Sequence, residues 1–472
     1  MDGLALLAGL ALPWLLGIAV VLALRPASPP PAAPGEIAWN VGAGYLTGAF
    51  LLTLWMRALS LAGIKFGITS IGLPLAIVAI ACAIVAWRRD GNALPHAFRE
   101  AAIELFAARG LGPAARWAWR LLLAWLAVRF ILLGVEVMSR PLYPWDAWTQ
   151  WATKARVWYE LGYLAPFARV SAWFAANGAV YFDASPEYPP TMPLLQVWSC
   201  VSLGRWDDVL MNWPWWQVAV ALTLAAYGGL RSLGVAALAA LVGAFLIASL
   251  PLANAHVALA GYSDLPLAAW YTVAALAFLR WNRTRDWRDA ALALLLAIAC
   301  TQIKNPGWFW AATLVPGLVV ALLPRYGVRV AGVGFAAACL LLVAAARFKL
   351  NVFNYQINLN FDPAWGDLSN SYFLLGNWHL LWYGAIGVAV LAWRQLLSTA
   401  MAPLTMIVAG GLLFLFFVFG FTNASAYIAD QTTVNRATLH LAPLIVVFTV
   451  LAWQAFAQRW IAAHSAPEGA AA

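Results

Sequence analysis

The chain has 472 residues, of which 64% are hydrophobic and only 10% charged, and its formal net charge is +9. No soluble core needs that much apolar surface, so a water-soluble domain is excluded, and with it the nucleic-acid partner that a basic soluble chain would suggest. The excess of arginine reads instead as the positive-inside bias of a polytopic membrane protein. Such a protein must be helical, because backbone groups in lipid have to pair within their own segment.

Apolar runs long enough to cross about 30 Å of hydrocarbon recur along the chain. They predict spans at 3–24, 38–62, 66–87, 118–138, 209–230, 233–253, 263–280, 290–303, 307–323, 328–346, 378–393, 401–421 and 438–457, thirteen in all. The first lacks a basic leader and is followed by a rigid Pro-rich loop from Arg25, so it is read as a retained span. Residues 1–110 are expected to form a leading three-span unit with a basic loop, and 111–460 the main bundle. Residues 139–208 and 347–377 are read as large outer loops, and 461–472 as a tail.

Arginines set the orientation. Arg88, Arg89, Arg99, Arg109, Arg116 and Arg120 cluster in one loop and Arg280, Arg283, Arg285 and Arg288 in another. One alternating topology places them all inside, and Asp146, Glu187, Asp264, Asp362 and Asp430 all outside. This requires Pro189–Leu203 to be an amphipathic helix lying in the outer interface rather than a span. The four cysteines, Cys82, Cys200, Cys300 and Cys339, lie in apolar stretches without metal-like spacing or a disulfide framework.

The densest chemistry lies in Arg140-Pro-Leu-Tyr-Pro-Trp-Asp146-Ala-Trp-Thr-Gln-Trp, a single acid in an aromatic segment at the end of a span. Asp146 reads either as a general base on an attacking hydroxyl or as an acid oriented by Arg140 or Lys154. Glu187 precedes Tyr188-Pro-Pro and reads as a helix-start acid or as a ligand facing Asp146. Asp264, after Tyr262-Ser263, reads as a helix cap or as part of the same outer site. Lys304 is one of only four lysines. It and Arg436 read as snorkelling cations or as contacts to a lipid phosphate. His256, His379 and His440 are scattered singly and read as packed side chains, His256 being the best placed.

In this order, Arg140-Pro-Leu-Tyr-Pro-Trp-Asp146, Glu187-Tyr-Pro-Pro, Asp264 opening a span, Lys304-Asn-Pro and Arg436 before Leu-Ala-Pro, the chain resembles the GT-C membrane glycosyltransferases. The branch it is most similar to is the bacterial aminoarabinose-transferase and protein-mannosyltransferase-like group. The resemblance covers roughly Ala118 to Trp460. It implies an all-α GT-C bundle in the bacterial inner membrane, with its active site facing the periplasm. It implies inverting transfer of a sugar from a polyprenyl-phosphate donor to a lipid, glycan or protein hydroxyl. Asp146 would be the catalytic base. Glu187, Tyr188, Asp264, Lys304, Arg436, Arg140 and Lys154 would contact substrate, and a divalent metal is left open as cofactor. Ala147 stands where the family often has a second acid, which weakens the expectation of a metal there. Tyr188 replaces a phosphate-binding lysine, leaving that part to Lys304. The competing expectation is a transporter or flippase of a lipid-linked or anionic solute.

Overall fold

In a computed structural model describing residues 2–24, 34–91, 93–108, 110–352, 355–357 and 364–464, the chain is 78% helix and 2% strand. The Pro-rich loop, Asp362 with the middle of 347–377, and the tail beyond His464 lie outside the described residues.

The helices are α1 (Asp2–Leu24), α2 (Glu36–Leu61), α3 (Leu73–Asp90), α4 (Ala93–Ala107), α5 (Pro113–Ser139), α6 (Ala152–Leu161), α7 (Val170–Ala175) and α8 (Thr191–Leu203). They continue as α9 (Trp213–Ser232), α10 (Ala237–Ser249), α11 (Pro251–Ala258), α12 (Asp264–Thr284), α13 (Trp287–Thr301), α14 (Gly307–Ala312) and α15 (Leu314–Leu322). The last are α16 (Gly327–Arg347), α17 (Trp365–Ser369), α18 (Leu381–Leu391), α19 (Ala402–Phe421), α20 (Thr432–Leu439) and α21 (Ala442–His464). Two strand pairs of two residues each, 167–168 with 181–182 and 351–352 with 355–356, complete the described structure.

Every predicted span falls on helix, but seven helices, α1, α2, α3 with its preceding turn, α5, α16, α19 and α21, are long and apolar enough to cross a membrane. An eighth is added if α10 and α11, bent by 57° at Pro251, count as one span. Leu121, Ile131, Leu340 and Val390 point outward on α5, α16 and α18, each more than half exposed. An apolar exterior of this kind is unsuited to water and fits an α-helical membrane protein.

Thirteen crossings therefore do not follow from helix length and apolarity. In α12 the reason is physical: every residue from Asp264 to Leu279 is buried. Its neighbours are protein rather than lipid, so it tolerates Asp, Trp, Tyr and Thr that a lipid-facing helix would not. The predicted interfacial helix needs correction for a related cause. All of α8 except Val201 is buried, and Trp198 donates to the Gly9 carbonyl of α1 at 2.8 Å. It is a short helix packed inside the bundle, not an amphipathic helix on its surface.

The three leading helices are continuous with the rest. Glycines let α2 approach both neighbours: a Cβ on Gly17 of α1 would fall 1.7 Å from the Gly44 carbonyl oxygen, and one on Gly228 of α9 would fall 2.2 Å from the Trp39 nitrogen. At one end of the bundle Arg280 bonds Glu36 and Asp289, Arg231 bonds Glu104, and Arg285 donates to the Ala321 carbonyl. Asp264 lies about 24 Å from Arg280 along α12, at its other end. The arginine-rich loops and the predicted outer acid are thus at opposite ends.

Gly228→Val should lower the unfolding free energy by about 1–3 kcal/mol, because backbone cannot yield to the added methyls. The melting temperature of the purified protein in detergent measures this.

Candidate functional site

Asp264 opens α12 and is fully buried. Neither it nor Ser263 caps the helix through its side chain. The carboxylate instead gathers three donors. Its Oδ1 accepts from Lys304 Nζ at 2.5 Å and from His440 Nε2 at 2.8 Å, and its Oδ2 accepts from Arg436 Nε at 2.9 Å. Lys304 comes from the tight turn between α13 and α14, Arg436 from α20, and His440 from the junction of α20 and α21. A buried carboxylate needs such partners to remain charged.

Arg436 carries the network outward. Its Nη2 donates to Asp146 Oδ2 at 2.5 Å, and its guanidinium lies 4.4 Å from the Tyr262 ring centre. Burial alone would lower the Arg436 pKa, but the carboxylates of Asp264 and Asp146 hold it above the ordinary arginine range, so it stays cationic. Side-chain exposure is 24% for Arg436 and 19% for Asp146, against none for Asp264. The outer pair can therefore be reached, while its anchor cannot.

Two backbone features bring Asp146 to this place. Trp215 Nε1 donates to the Tyr262 carbonyl at 2.7 Å, fixing the turn before α12. In that turn Gly261 has φ +123°, and a Cβ there would lie 2.3 Å from Ala147 Cβ. Ala147 is itself fully buried. Residue 147 thus packs against the turn, leaving no place for a second carboxylate beside Asp146. Ala147–Trp151 form a π-helical turn that runs directly into α6.

The histidines take defined states from their partners. Trp310 Nε1 donates to His440 Nδ1 at 2.9 Å, so the proton sits on Nε2 and is donated to Asp264. His256 Nδ1 donates to the Leu252 carbonyl at 2.8 Å, and its Nε2 lies 3.9 Å from Asp264 Oδ2 without a hydrogen bond. Sequence reasoning read His440 as a packed side chain and did not single out Trp310 or Tyr262. The available signal was the i, i+4 spacing of Arg436 and His440, which puts both on one helix face.

Of the expected site residues, Asp146, Asp264, Lys304 and Arg436 come together. Arg140 does not: it pairs with Glu136 one turn earlier at 2.8 Å and is exposed. It lines a small surface pocket with Tyr143 and Ala258–Ala260, which contains none of the four. Glu187 pairs with Arg169 at 2.6 Å rather than facing Asp146. Tyr188 packs its ring on Trp151, 5.2 Å between centres.

Lys154 is also displaced from the expected role. It is buried, donates to the Ser185 and Tyr188 carbonyls at 2.8 and 3.3 Å, and lies 3.6 Å from Asp183 Oδ1. It ties residues 183–188 to α6. Burial pushes Lys154 below and Asp183 above their ordinary pKa ranges, each partner's charge offsetting part of that. Such a pair is costly to break on one side.

Among the described residues no group of three or more His, Cys, Asp or Glu side chains is arranged to hold a metal. Both Asp264 oxygens already face cationic side chains, and Arg436 holds Asp146, so the site's carboxylates do not fit a divalent cation. No family model, curated protein or solved structure matches the chain.

Lys154→Met should cost about 3–5 kcal/mol by stranding Asp183, seen as a lower melting temperature. Asp264→Ala, which strands Lys304 and Arg436, should cost a similar amount, about 3–5 kcal/mol, in the same measurement.

Proposed function

We propose that this protein is a GT-C-like membrane glycosyltransferase. It transfers a sugar from a polyprenyl-phosphate donor to a hydroxyl of a lipid, glycan or protein at the outer face of a bacterial inner membrane. One observation carries the reading: a reachable carboxylate, Asp146, sits on a reachable guanidinium, Arg436, which a buried Asp264–Lys304 pair anchors from behind. This puts a proton acceptor and a phosphate-binding cation within one side chain's reach at the end of the bundle.

Asp146 takes the acceptor hydroxyl's proton as its oxygen bonds to the anomeric carbon. The bond from that carbon to the phosphate oxygen breaks, and the lipid phosphate leaves with the electron pair. Attack opposite the leaving group inverts the anomeric centre. Arg436, with Lys304 behind it, stabilises the charge growing on the phosphate, an electrostatic contribution that is usually the largest in such steps. The aromatic surroundings of Asp146, Trp145, Trp148 and Trp151, suit a substrate whose reacting group lies at headgroup depth. In this reading the helices too short or too polar to pass as lipid-facing spans complete a bundle of about thirteen crossings around α12.

The break between α10 and α11 favours a second reading, a transporter of a lipid-linked or anionic solute, because transporters often place charges on broken helices. Incubating the purified protein with a panel of polyprenyl-phosphate sugars and following products by mass spectrometry separates the two. Donor consumption supports transfer. Uptake into proteoliposomes with no donor consumed supports transport. Asp146→Asn should reduce transfer by about 10²–10⁴-fold, the range of a lost general base, with the melting temperature unchanged. Near-normal transfer by that variant would remove Asp146 as base.

A further inference from the structure

We infer that the donor phosphate binds by ion-pair exchange: it takes the place of Asp146 on Arg436, and so frees both oxygens of the base as the donor arrives. The inference rests on the phosphate-handling reading of this site and adds a binding step to it.

The two ends of the Arg436 side chain are held unequally. Its Nε bonds Asp264, a carboxylate that is fully buried and also accepts from Lys304 and His440. Its Nη2 bonds Asp146, and among the described residues this is the only hydrogen bond that the Asp146 carboxylate makes. Tyr262 supports the guanidinium through its ring face. A competing anion therefore meets a cation fixed from behind and a carboxylate held by one exposed contact. The partner that yields is Asp146.

A phosphate is well suited to displace it. It offers several acceptor oxygens to the guanidinium fork, where Asp146 uses one oxygen on one nitrogen. Charge favours exchange over simple addition. Asp146 and Asp264 carry two negative charges and Lys304 and Arg436 two positive ones. An added phosphate would leave this half-buried cluster negative, whereas rotation of the partly exposed Asp146 carboxylate away from Arg436 lets water take up its charge.

The exchange changes what Asp146 can do. While Oδ2 accepts from Arg436, only Oδ1 is open to a substrate proton. Once displaced, the carboxylate stands beside the bound phosphate, where the acceptor hydroxyl has to approach. Ala147 packed against Gly261 holds the backbone, so the release is a side-chain rotation rather than a loop movement.

The test is a binding measurement with the full-length protein in nanodiscs, using a polyprenyl phosphate without sugar as the probe. Removing a competing carboxylate should improve binding. Asp146→Asn and Asp146→Ala should each bind the lipid phosphate roughly fivefold or more tightly than the unmodified protein, as expected from losing one charge-assisted hydrogen bond. Asp430→Asn, which removes a carboxylate from the loop just before α20 where it accepts from the Thr432 amide, should leave affinity unchanged. Equal or weaker binding by both Asp146 variants overturns the exchange, as does an equal gain in Asp430→Asn, which would signify general charge repulsion. The two levels of inference fail separately. Turnover of a sugar-charged donor with no gain in the Asp146 variants sinks the exchange alone. A gain without turnover of any donor sinks the transfer reading alone.

Discussion

A fully buried carboxylate at the start of α12 governs this end of the molecule. Asp264 is shielded from solvent, so its charge has to be met by protein donors, and those donors come from two separate parts of the chain. The turn after α13 and the helix α20 with its C-cap His440 are therefore drawn to one point. Tertiary placement of these segments follows from a single electrostatic demand. Trp310, by fixing the proton on His440, orients one donor, and Tyr262 supports another. Asp146 joins this assembly only at its outer edge, through Arg436.

Much of this was readable from residue order, and the remainder fails for identifiable reasons. Lys304 stands out because lysine is scarce in this chain, and Arg436 because it lies on the predicted outer side, and both reach Asp264. His440 carries the same information but looks like any packed histidine until the helical spacing from Arg436 is taken into account. Lys154 and Glu187 lie in the same predicted outer loop as Asp146, yet are satisfied locally, by Asp183 and Arg169. Nothing in spacing along the chain distinguishes an acid that crosses to α20 from one that pairs eighteen positions back. Ala147 has a packing explanation that only the structure supplies, since Gly261 is more than a hundred residues away in sequence.

Helices were legible as helices, but their surroundings were not. Hydropathy measures fitness for lipid, whereas α8 and the first four turns of α12 are surrounded by protein. The same composition that makes α12 fall short as a lipid-facing span makes it the centre of the bundle, where Tyr271 can bond Thr313 at 2.6 Å and Asp264 can be paired. A polar residue in such a helix marks what it packs against rather than where it meets water. The inference from apolar pattern to crossing number is accordingly weakest for the helices that build the site.

The two ends of the bundle differ in how they are fastened, and this bears on what the charged cluster is for. At the arginine-rich end Arg280 joins α12 to α2 and α13, its guanidinium lies 4.8 Å from the Trp39 ring centre, and Arg231 with Tyr227 fixes α9 to Glu104 of α4. At the other end one reachable pair, Asp146 with Arg436, can open while Arg436 keeps its hold on Asp264. Under the proposed exchange, a bundle fastened at one end and able to open an ion pair at the other suits chemistry at a single membrane face. The bend at Pro251 then has a local use: it ends α10 and lets α11 turn so that His256 lies 3.9 Å from Asp264.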